Sequence, residues 1–391
     1  MPEILICGAG RIGRGFVAQL FHHAGWRVSF ADSSVSLAAA LRATGGYRIE
    51  IAGRPELGER IPVADAVSLS DAPALSAAVA RADLLACAVG APNLVPLARA
   101  LAPALTARDH SQPFDWLICE NADAPAQQIR TTLSEGAEPG FAAWVATRLG
   151  LVETQVLRSG LTADSELLAR DPLTVRMHDW WTLPCDGEAF RGPIPVVTGL
   201  QPRSGFAREL QRKLYTFNGL NGPIAYLGWA NGERILHQAV LAPALQPLLA
   251  MVREESIQAV VRGFAVDQAE QRAFQDVAWR KYTDPALNDS LERNARDSAR
   301  KLGTRERLVG PALLALEHGI TPHGYAAAIC AAIAYDGSDD PGTKQVQADL
   351  AAGGPVAVLQ RHAGLASDHP LTRLVLAAWA QRVHLVAKEL V

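Results

Sequence analysis

A glycine-rich turn near the start of the chain constrains the fold more than any other feature. Gly8, Gly10 and Gly13 spell G-x-G-x-x-G directly after the apolar run EILIC and directly before the helical pattern FVAQLFHHAG. In a dinucleotide-binding turn the first glycine permits the bend, the second lets a pyrophosphate approach the backbone, and the third lets helix and strand pack closely. We therefore predict a Rossmann domain whose turn, with Arg11 and Ile12, contacts the cofactor.

An acidic residue ends the next strand-like run. RVSFAD closes on Asp32, nineteen residues beyond Gly13, where a carboxylate accepts hydrogen bonds from the adenosine ribose hydroxyls. A carboxylate there also repels a 2′-phosphate, so NAD is favoured over NADP. The alternative is that the glycines only form a turn and Asp32 only caps a helix. The order and spacing of strand, turn, helix and acidic residue favour the cofactor site.

Polar residues also follow two later strands. Up to about residue 122 short apolar runs alternate with helical patterns, which is typical of β-α-β units and a parallel sheet. Gly90 and Asn93 follow DLLACAV, and Glu120 and Asn121 follow WLIC. Ligands of such sheets bind outside the carboxyl ends of the strands. We expect Gly90, Glu120 and Asn121 to line the cofactor cleft; the alternative, an ordinary turn residue, is stronger for Asn93.

The second half of the chain has a different pattern. From about residue 204 long stretches with 3.6-residue apolar spacing predominate, as in PALQPLLAMVREESIQAVVRGF and HGYAAAICAAIAY. Residues of about 150–203 have some β character with Gly and Pro punctuation, which suggests a join. We predict an α/β Rossmann domain, mostly a parallel doubly wound sheet, over residues 1–203, and a mainly α-helical substrate domain over residues 204–391.

Composition excludes several classes of protein. The chain has 37 Lys and Arg against 40 Asp and Glu, and this balance argues against sequence-independent binding to nucleic acid or an anionic membrane. The five cysteines are far apart and form no C-x-x-C pair, as expected for reduced thiols. No signal-peptide pattern begins the sequence, and its longest apolar stretch is far below the ~20 residues of a membrane span. We expect a soluble, cytoplasmic protein.

A lysine in the helical half is the catalytic candidate. Hydride transfer to a nicotinamide needs a group that takes the alcohol proton, and a lysine serves if desolvation lowers its pKa from ~10.4 to about 7 to 8. The cysteines and histidines lack metal-ligand spacing, so no metal is expected. Lys213 lies in an apolar, aromatic stretch before Asn218 and Asn221, which on an ideal helix lie at about 140° and 80° from it. The alternative is a solvated helix face.

Several segments together resemble a known family. In order and spacing they are similar to the mannitol-1-phosphate 5-dehydrogenases of the long-chain, metal-independent polyol dehydrogenases, over nearly the whole chain. The segments are GAGRIGRGF at the start, AVG at 88–90, CEN at 119–121, RKLYTFNGLNGPIAYLG at 212–228 and DPALNDSLERNARDSARKL at 284–302, followed by RERL and LEHG. The resemblance implies a Rossmann domain, a helical C-terminal domain, and interconversion of mannitol 1-phosphate and fructose 6-phosphate with NAD.

The resemblance also assigns roles to individual residues. The family motif is K-x-x-x-x-N-x-x-H, in which the lysine is the general acid/base, the asparagine polarises the substrate oxygen and the histidine contacts substrate. Lys213 and Asn218 match, whereas Asn221 replaces the histidine. The family sequence V-D-R-I is V-L-R-S at 156–159, which keeps the arginine and loses the acid. Glu153 stands where relatives carry Asn or Asp, and we expect it, with Asn221, to contact substrate.

A basic cluster offers phosphate recognition. Arg293, Arg296 and Arg300 have the i, i+3, i+7 spacing of one helix face, in a window (293–307) of six basic and two acidic residues. The planar fork of arginine suits phosphate, so we expect these three to bind the substrate. The alternative is an exposed face whose arginines pair with carboxylates.

Two other functions remain open at this point. One is a dehydrogenase of an unphosphorylated polyol or a hexuronate on the same fold, and the other is a non-catalytic NAD-binding relative. The partner of the protein is in either case a small molecule, and the sequence does not set the oligomeric state.

Overall fold

The computed structural model describes residues 1–122, 124–161, 163 and 165–386, and the chain divides into two units. The first is Met1–Ala207 and the second begins at Arg208. A parallel sheet with helices on both faces organises the first unit, and helices make up the second. The predicted fold class is confirmed.

The first unit contains a parallel sheet at its centre. In chain order its strands are β1 (Glu3–Cys7), β2 (Arg27–Asp32), β3 (Gly46–Ile51), β4 (Glu59–Pro62), β5 (Asp65–Ser68), β6 (Leu84–Cys87), β7 (Phe114–Ile118), β8 (Leu149–Glu153), β9 (Gly160–Leu161), β10 (Val175–Met177), β11 (Leu183–Asp186) and β12 (Leu200–Arg203). Six of them pair in parallel in the order β5, β2, β1, β6, β7, β8. The carboxyl ends of all six therefore meet at one edge, and the runs ILIC, RVSFAD, DLLACAV and WLIC are confirmed as strands.

Helices cover both faces of this sheet. They are α1 (Ala18–His23), α2 (Val35–Thr44), α3 (Ala72–Arg81), α4 (Leu94–Thr106), α5 (Pro125–Ser134) and α6 (Pro139–Thr147), while a short helix of the join region, α7 (Ser165–Arg170), buries none of its residues. Alternate residues of β1 enter separate cores, with Ile4 and Ile6 in one cluster and Leu5 and Cys7 in the other. Burial on two faces is why the central strands are almost continuously apolar.

A smaller sheet adjoins the glycine turn. Its order is β4, β3, β10, β9, with β3 parallel to β10, and β11 pairs separately with β12. The join region thus contains short strands, consistent with its predicted β character. Strands β3 and β4 were not predicted: β3 pairs with β10, more than a hundred residues away along the chain, and β4 pairs with β3 at the edge of the sheet.

The second unit is built from helices. They are α8 (Phe206–Lys213), α9 (Gly219–Ala230), α10 (Leu236–Leu241), α11 (Gln246–Phe264), α12 (Gln268–Thr283), α13 (Leu291–Ala295), α14 (Ser298–Lys301), α15 (Val309–Glu317), α16 (His323–Ala334), α17 (Pro341–Ala363) and α18 (Pro370–Val386). A π-helical turn, Leu214–Asn218, separates α8 from α9. A second π turn, Gly13–Val17, precedes α1 in the first unit.

Three further features bear on function. Within the described ranges no helix combines the length and the apolar character that a bilayer span requires. The same residues contain no group of three or more His, Cys, Asp or Glu side chains placed to hold a metal ion. The five cysteines are buried free thiols.

Candidate functional site

The glycine turn is tight at two positions and open at the third. Gly8 has φ of +94°, and a Cβ there would lie 2.5 Å from the carbonyl oxygen of Ala88. A Cβ on Gly13 would collide with the carbonyl oxygen of Gly8. A Cβ on Gly10, by contrast, would meet no atom of the described chain within 4 Å. The open side at Gly10 is what close approach of a pyrophosphate requires, so the turn fits the predicted cofactor.

The side chains within and directly after the turn divide between surface and core. Arg11 is exposed, and its side chain packs against Gly160 of β9, where a Cβ would lie 2.6 Å from that of Arg11. Ile12 is half-buried against the core. Arg14 is also half-buried, and its Nε donates to the carbonyl of Ala9 over 2.6 Å. Arg11 is therefore placed to contribute charge beside the turn, whereas Arg14 supports the backbone of the turn itself.

Asp32 joins the turn to the end of β2. Its Oδ2 accepts from the amide of Ala9 over 2.7 Å, and its Oδ1 accepts from the amide of Ser34, also over 2.7 Å. A carboxylate offers about four lone-pair sites, so two remain for ribose hydroxyls. Ser34, not Asp32, caps α2, with its hydroxyl accepting from Leu37. The structure thus brings Asp32 and the glycine turn together.

Glu120 holds the loop that follows β6. Its Oε1 accepts from the amides of Val89, over 2.6 Å, and Gly90, over 3.0 Å, and the residue is 8% exposed. Gly90 has φ of +87°, a conformation that glycine adopts readily. Burial raises the pKa of the Glu120 carboxyl, and the two amides act in the opposite direction. Glu120 therefore shapes the loop at Gly90, while Asn121 beside it is exposed.

The remaining predicted residue of the first unit, Glu153, ends β8 at the same sheet edge. Its Oε1 accepts from the amide of Ala126 in the first turn of α5, over 3.1 Å. Leu157, in place of the family aspartate, is buried at 5% exposure. Arg158 is buried as well; its guanidinium donates to the side-chain oxygen of Gln19 over 2.7 Å, and burial lowers its pKa to about 10. Packing accounts for Arg158, and substrate contact by Glu153 stays a prediction.

In the second unit Lys213 is half-buried at the end of α8. Burial, together with the cations of Lys281 and Arg307, lowers its pKa to about 7. The side chain of Arg307 packs over α9, so that a Cβ on Gly222 would lie 3.3 Å from Arg307 Cγ. The sequence did not indicate that Arg307 and Lys281 lie near Lys213. Arg307 was only one member of the basic window, and nothing in the sequence around Lys281 distinguishes that lysine from others.

The π turn changes the geometry expected for the asparagines. The amide of Gly219 bonds to the carbonyl of Leu214, five residues back, so residues five apart lie closer together around the helix axis than in a regular helix. Lys213 and Asn218 are therefore brought onto one face, where a regular helix would separate them by about 140°. Pro223 lies inside α9, which begins directly after the π turn.

Asn221, in place of the family histidine, is bonded within the second unit. It is 9% exposed, and its amide nitrogen donates to the side-chain oxygen of Asn294 on α13 over 3.1 Å. Asn294 in turn donates to the carbonyl of Ser290 over 2.9 Å. The Asn221 side chain is thus held by a neighbouring helix, and its contact with substrate remains a prediction.

The spacing predicted that one helix carries Arg293, Arg296 and Arg300, and this prediction is wrong. Arg293 lies in α13 and Arg300 in α14, and the chain turns between them at Arg296 and Asp297, whose φ is +61°. The amide of Asp297 bonds to a carboxylate oxygen of Asp340 over 3.1 Å, a contact that fixes the break. The three arginines consequently do not share one helix face.

Each of these arginines pairs with a nearby acid. Arg293 bonds to Asp289, Arg296 to Glu292 over 3.2 Å, and Arg300 to both Asp297 and Glu306. Their side chains are about half exposed or more, from 48% to 65%. This is the paired, exposed arrangement that the sequence left as the alternative. The pairs Arg296–Glu292 and Arg300–Asp297 are exposed on both sides and are worth only about 0 to 1 kcal/mol, whereas the acids of the other two pairs, Asp289 and Glu306, are mostly buried.

Comparison with known proteins identifies both units. Residues 2–197 match the mannitol dehydrogenase Rossmann domain, and residues 210–378 match the mannitol dehydrogenase C-terminal domain. Among solved structures, D-sorbitol dehydrogenase in its substrate-free form superposes with a TM-score of 0.75 at 14% identity, over 97% of this chain and 92% of that one. Mannitol 2-dehydrogenase of Pseudomonas fluorescens, in a ternary complex with NAD and D-mannitol, gives a TM-score of 0.71 at 15% identity, over 97% and 91%.

The structural likenesses show the fold, and the two domain matches show the family. Together the matched domains span most of the chain, in the order Rossmann domain then C-terminal domain. The predictions of an enzyme and of NAD as cofactor are confirmed, and the non-catalytic alternative is set aside. The chain therefore belongs to the mannitol dehydrogenase family and is an NAD-dependent polyol dehydrogenase.

Proposed function

We propose that the protein interconverts mannitol 1-phosphate and fructose 6-phosphate with NAD, and that Lys213 is the general acid/base. The observation that carries the proposal is the π turn that brings Lys213 and Asn218 onto one face, and burial with two neighbouring cations lowers the pKa of Lys213 to about 7. A group with a pKa near the working pH can both accept and donate a proton. Asn218, one π turn above it, supplies the amide for the same substrate oxygen.

The proposed chemistry uses two side chains of the second unit. In the oxidation direction the neutral Nζ of Lys213 accepts the proton of the substrate hydroxyl. The amide of Asn218 donates to that oxygen as negative charge develops on it. In reduction the ammonium form of Lys213 returns the proton. NAD, when bound, supplies the hydride acceptor, and the glycine turn, Asp32 and the loop at Gly90 would hold it.

Positive charge around Lys213 supports an anionic substrate. Lys281 and Arg307 both act on Lys213 electrostatically, so the second unit places three basic side chains in one region. A bound phosphate would compensate this positive charge. The carboxylates that pair with the nearby cations compensate it only in part. We propose phosphate contact by Arg307 and Lys281, in addition to the earlier candidates Arg293, Arg296 and Arg300.

The acid/base assignment is tested by replacing Lys213. We expect Lys213→Ala to lower kcat for fructose 6-phosphate reduction by about 10²- to 10⁴-fold, because general acid/base catalysis contributes that much. NAD affinity, measured by calorimetry, should stay unchanged. Lys344→Ala is the matched control, since Lys344 is 64% exposed and pairs with Asp339 at the surface. Full activity of Lys213→Ala would show that the assignment is wrong.

A second candidate substrate is an unphosphorylated polyol. The pairing of Arg293, Arg296 and Arg300 with carboxylates favours it, as do the two solved relatives, which are sorbitol and mannitol dehydrogenases. Assays with fructose 6-phosphate beside fructose, and with mannitol 1-phosphate beside mannitol and sorbitol, distinguish the two. A higher kcat/KM for the unphosphorylated member of each pair would overturn the phosphate proposal.

Two arginine variants then locate the phosphate contact. If Arg307 binds phosphate and Arg293 does not, Arg307→Ala raises KM for fructose 6-phosphate and leaves KM for fructose unchanged, while Arg293→Ala changes neither; a raised KM for fructose 6-phosphate in both variants would assign the contact to both arginines. The reverse result would assign the contact to Arg293.

We also propose a cytoplasmic location, which the five free, buried thiols support.

A further inference from the structure

The π turn that carries the catalytic residues is an unusual conformation. π turns are rare in proteins and occur mostly as single turns at functional sites, because their hydrogen bonds skip one residue and leave backbone groups without the usual partner. Here the turn Leu214–Asn218 lies directly between Lys213 and α9. Some other contact must stabilise it, since a buried carbonyl without a partner is costly.

Side-chain hydroxyl groups from three other helices provide these contacts. Each hydroxyl donates to a backbone carbonyl in or next to the π turn, and each belongs to a buried residue. The bonds are Ser256 Oγ of α11 to Tyr215 O (3.0 Å), Tyr282 Oη of α12 to Phe217 O (2.9 Å) and Tyr325 Oη of α16 to Gly219 O (3.1 Å). We call these three residues the hydroxyl lock.

The sequence explains one of these bonds directly. In a regular helix the carbonyl of Gly219 would accept from the amide of residue 223, but that residue is Pro223, which has no N–H. Tyr325 supplies the missing donor from α16. The chain therefore provides an external hydroxyl where its own backbone cannot supply a hydrogen bond.

A side-chain bridge reinforces the other side of the turn. Gln271 of α12 is fully buried, and its Oε1 accepts from Arg212 Nε over 2.8 Å. Its Nε2 donates to the hydroxyl of Thr216 over 2.8 Å. One glutamine thus connects the residue before Lys213 to the middle of the π turn, so α12 holds the catalytic segment at Arg212 and at Thr216.

We propose that the hydroxyl lock positions the catalytic pair, with Tyr282 as its principal member. Tyr282 holds the carbonyl of Phe217, the residue next to Asn218, and so keeps Asn218 in line with Lys213. The inference rests on the proposed function, in which Lys213 transfers the proton. Tyr282 touches neither reacting group in this arrangement and is a positioning residue.

Loss of the lock has a defined structural consequence. Without the hydroxyl of Tyr282 the carbonyl of Phe217 gains by bonding within the helix, which favours an α-helical turn over the π turn. Lys213 and Asn218 would then separate by up to about 140° around the helix axis. The environment of Lys213 would also change, because Lys281 of α12 and Arg307 face it in the present conformation.

The test is Tyr282→Phe, compared with Tyr226→Phe. Tyr226 is also a buried tyrosine whose hydroxyl donates to a backbone carbonyl, that of Ala295, over 2.7 Å, but its bond is not to the π turn. We expect Tyr282→Phe to lower kcat by about 10- to 100-fold, since a misplacement of about 1 Å can cost that much, with little change in KM. Tyr226→Phe should keep kcat within about twofold, because it leaves the reacting geometry in place.

A second readout needs neither substrate nor NAD. Competitive labelling of amines with acetic anhydride over a pH series, followed by peptide mass spectrometry, reports the pKa of Lys213 itself. We expect Tyr282→Phe to raise that pKa from about 7 towards the ordinary lysine value, and Tyr226→Phe to leave it in place. A change in overall stability alone would not move this value in one variant and not in the other.

The outcomes separate this inference from the function on which it rests. If Lys213→Ala retains full activity, the proposed function is wrong. If Lys213→Ala is inactive but Tyr282→Phe behaves as Tyr226→Phe in both kcat and labelling, the hydroxyl lock does not position the pair. Should Tyr282→Phe fail to fold by circular dichroism, Ser256→Ala removes another member of the lock; an unchanged kcat and Lys213 pKa in that variant would overturn the inference.

Discussion

The two units each place a π turn beside their functional residues, but side-chain hydroxyls support the two turns to different degrees. In the first unit the amide of Ala18 bonds to the carbonyl of Gly13, five residues back, directly after the glycine turn. In the second unit the amide of Gly219 bonds to the carbonyl of Leu214, directly after Lys213. Both turns are buried, so each needs partners for its displaced backbone groups.

In the first turn missing side chains allow the close packing, and one hydroxyl, Tyr47 Oη of β3, donates to the carbonyl of Arg14 over 2.6 Å. A Cβ on Gly13 would collide with the carbonyl of Gly8, and one on Gly15 would collide with the side chain of Met177 in β10. In the second turn side chains from three other helices supply more of the contacts, through the three hydroxyls of the lock and the amide of Gln271. A site shaped mainly by the backbone needs glycines that are close together in sequence. A site shaped mainly by side chains needs hydrogen-bond donors from several helices.

The largest expected effect comes from a methyl group in the first turn. We expect Gly13→Ala to destabilise the first unit by about 1 to 3 kcal/mol or more, because the colliding atom belongs to backbone that cannot move aside cheaply. Gly10→Ala is the matched control, since a Cβ there meets none of the described atoms within 4 Å. Urea unfolding measures the difference, and equal destabilisation by both variants would contradict the packing argument.

The same control sharpens the cofactor assignment. Gly10→Ala should fold normally yet weaken NAD binding by about tenfold or more, about 1.4 kcal/mol, if the pyrophosphate approaches the open side of the turn. Isothermal calorimetry measures this directly. Unchanged NAD affinity in Gly10→Ala would mean that the open side of the turn is not where the cofactor binds.

The difference between the turns also explains what could be predicted from the sequence. Gly8, Gly10, Gly13 and Asp32 act through backbone geometry within a short stretch, so a local motif indicated both fold and cofactor. The surroundings of Lys213 come from distant segments: Lys281 and Arg307 reach it only through helix packing. Helical periodicity assumes a regular helix, and therefore it misplaced Asn218 relative to Lys213.

The prediction that the three arginines share one helix face was wrong for a related reason. Its spacing predicted one helix face, but a contact from Asp340 to the amide of Asp297 breaks the helix between Arg293 and Arg300. Asp340 lies far along the chain, so no local pattern could reveal the break. Sequence thus identified the basic character of this segment, while the tertiary contact decided its shape.

Lys213, directly before the second π turn, changes its protonation state near neutral pH, and this predicts how activity depends on pH. Oxidation of the alcohol needs neutral Lys213, so kcat/KM should rise as pH increases through about 7 and then level off. Reduction of the keto sugar needs the ammonium form, so its rate should fall as pH increases through the same value. Profiles in both directions test this, and parallel profiles would show that Lys213 is not the proton-transfer group.

A smaller effect isolates one cause of the lowered pKa. Lys281→Gln removes a positive charge that disfavours protonation of Lys213, so the pKa of Lys213 should rise. We expect the limb of the oxidation profile to move to higher pH by up to about one unit, equivalent to about 1.4 kcal/mol. Arg280→Gln, at the exposed neighbouring position, should leave the limb in place. A shift in the opposite direction would contradict the electrostatic explanation.

The smallest effect concerns the loop at Gly90, where a side chain supports a backbone-made site. A single oxygen of Glu120 accepts from the amides of Val89 and Gly90, and a glutamine carbonyl can accept both equally well. We therefore expect Glu120→Gln to bind NAD within about twofold of the native protein, whereas Glu120→Ala, which leaves two amides without their acceptor, should bind about three- to tenfold more weakly. If glutamine weakens binding as much as alanine does, the negative charge of Glu120 and not its hydrogen bonding is what the cofactor loop requires.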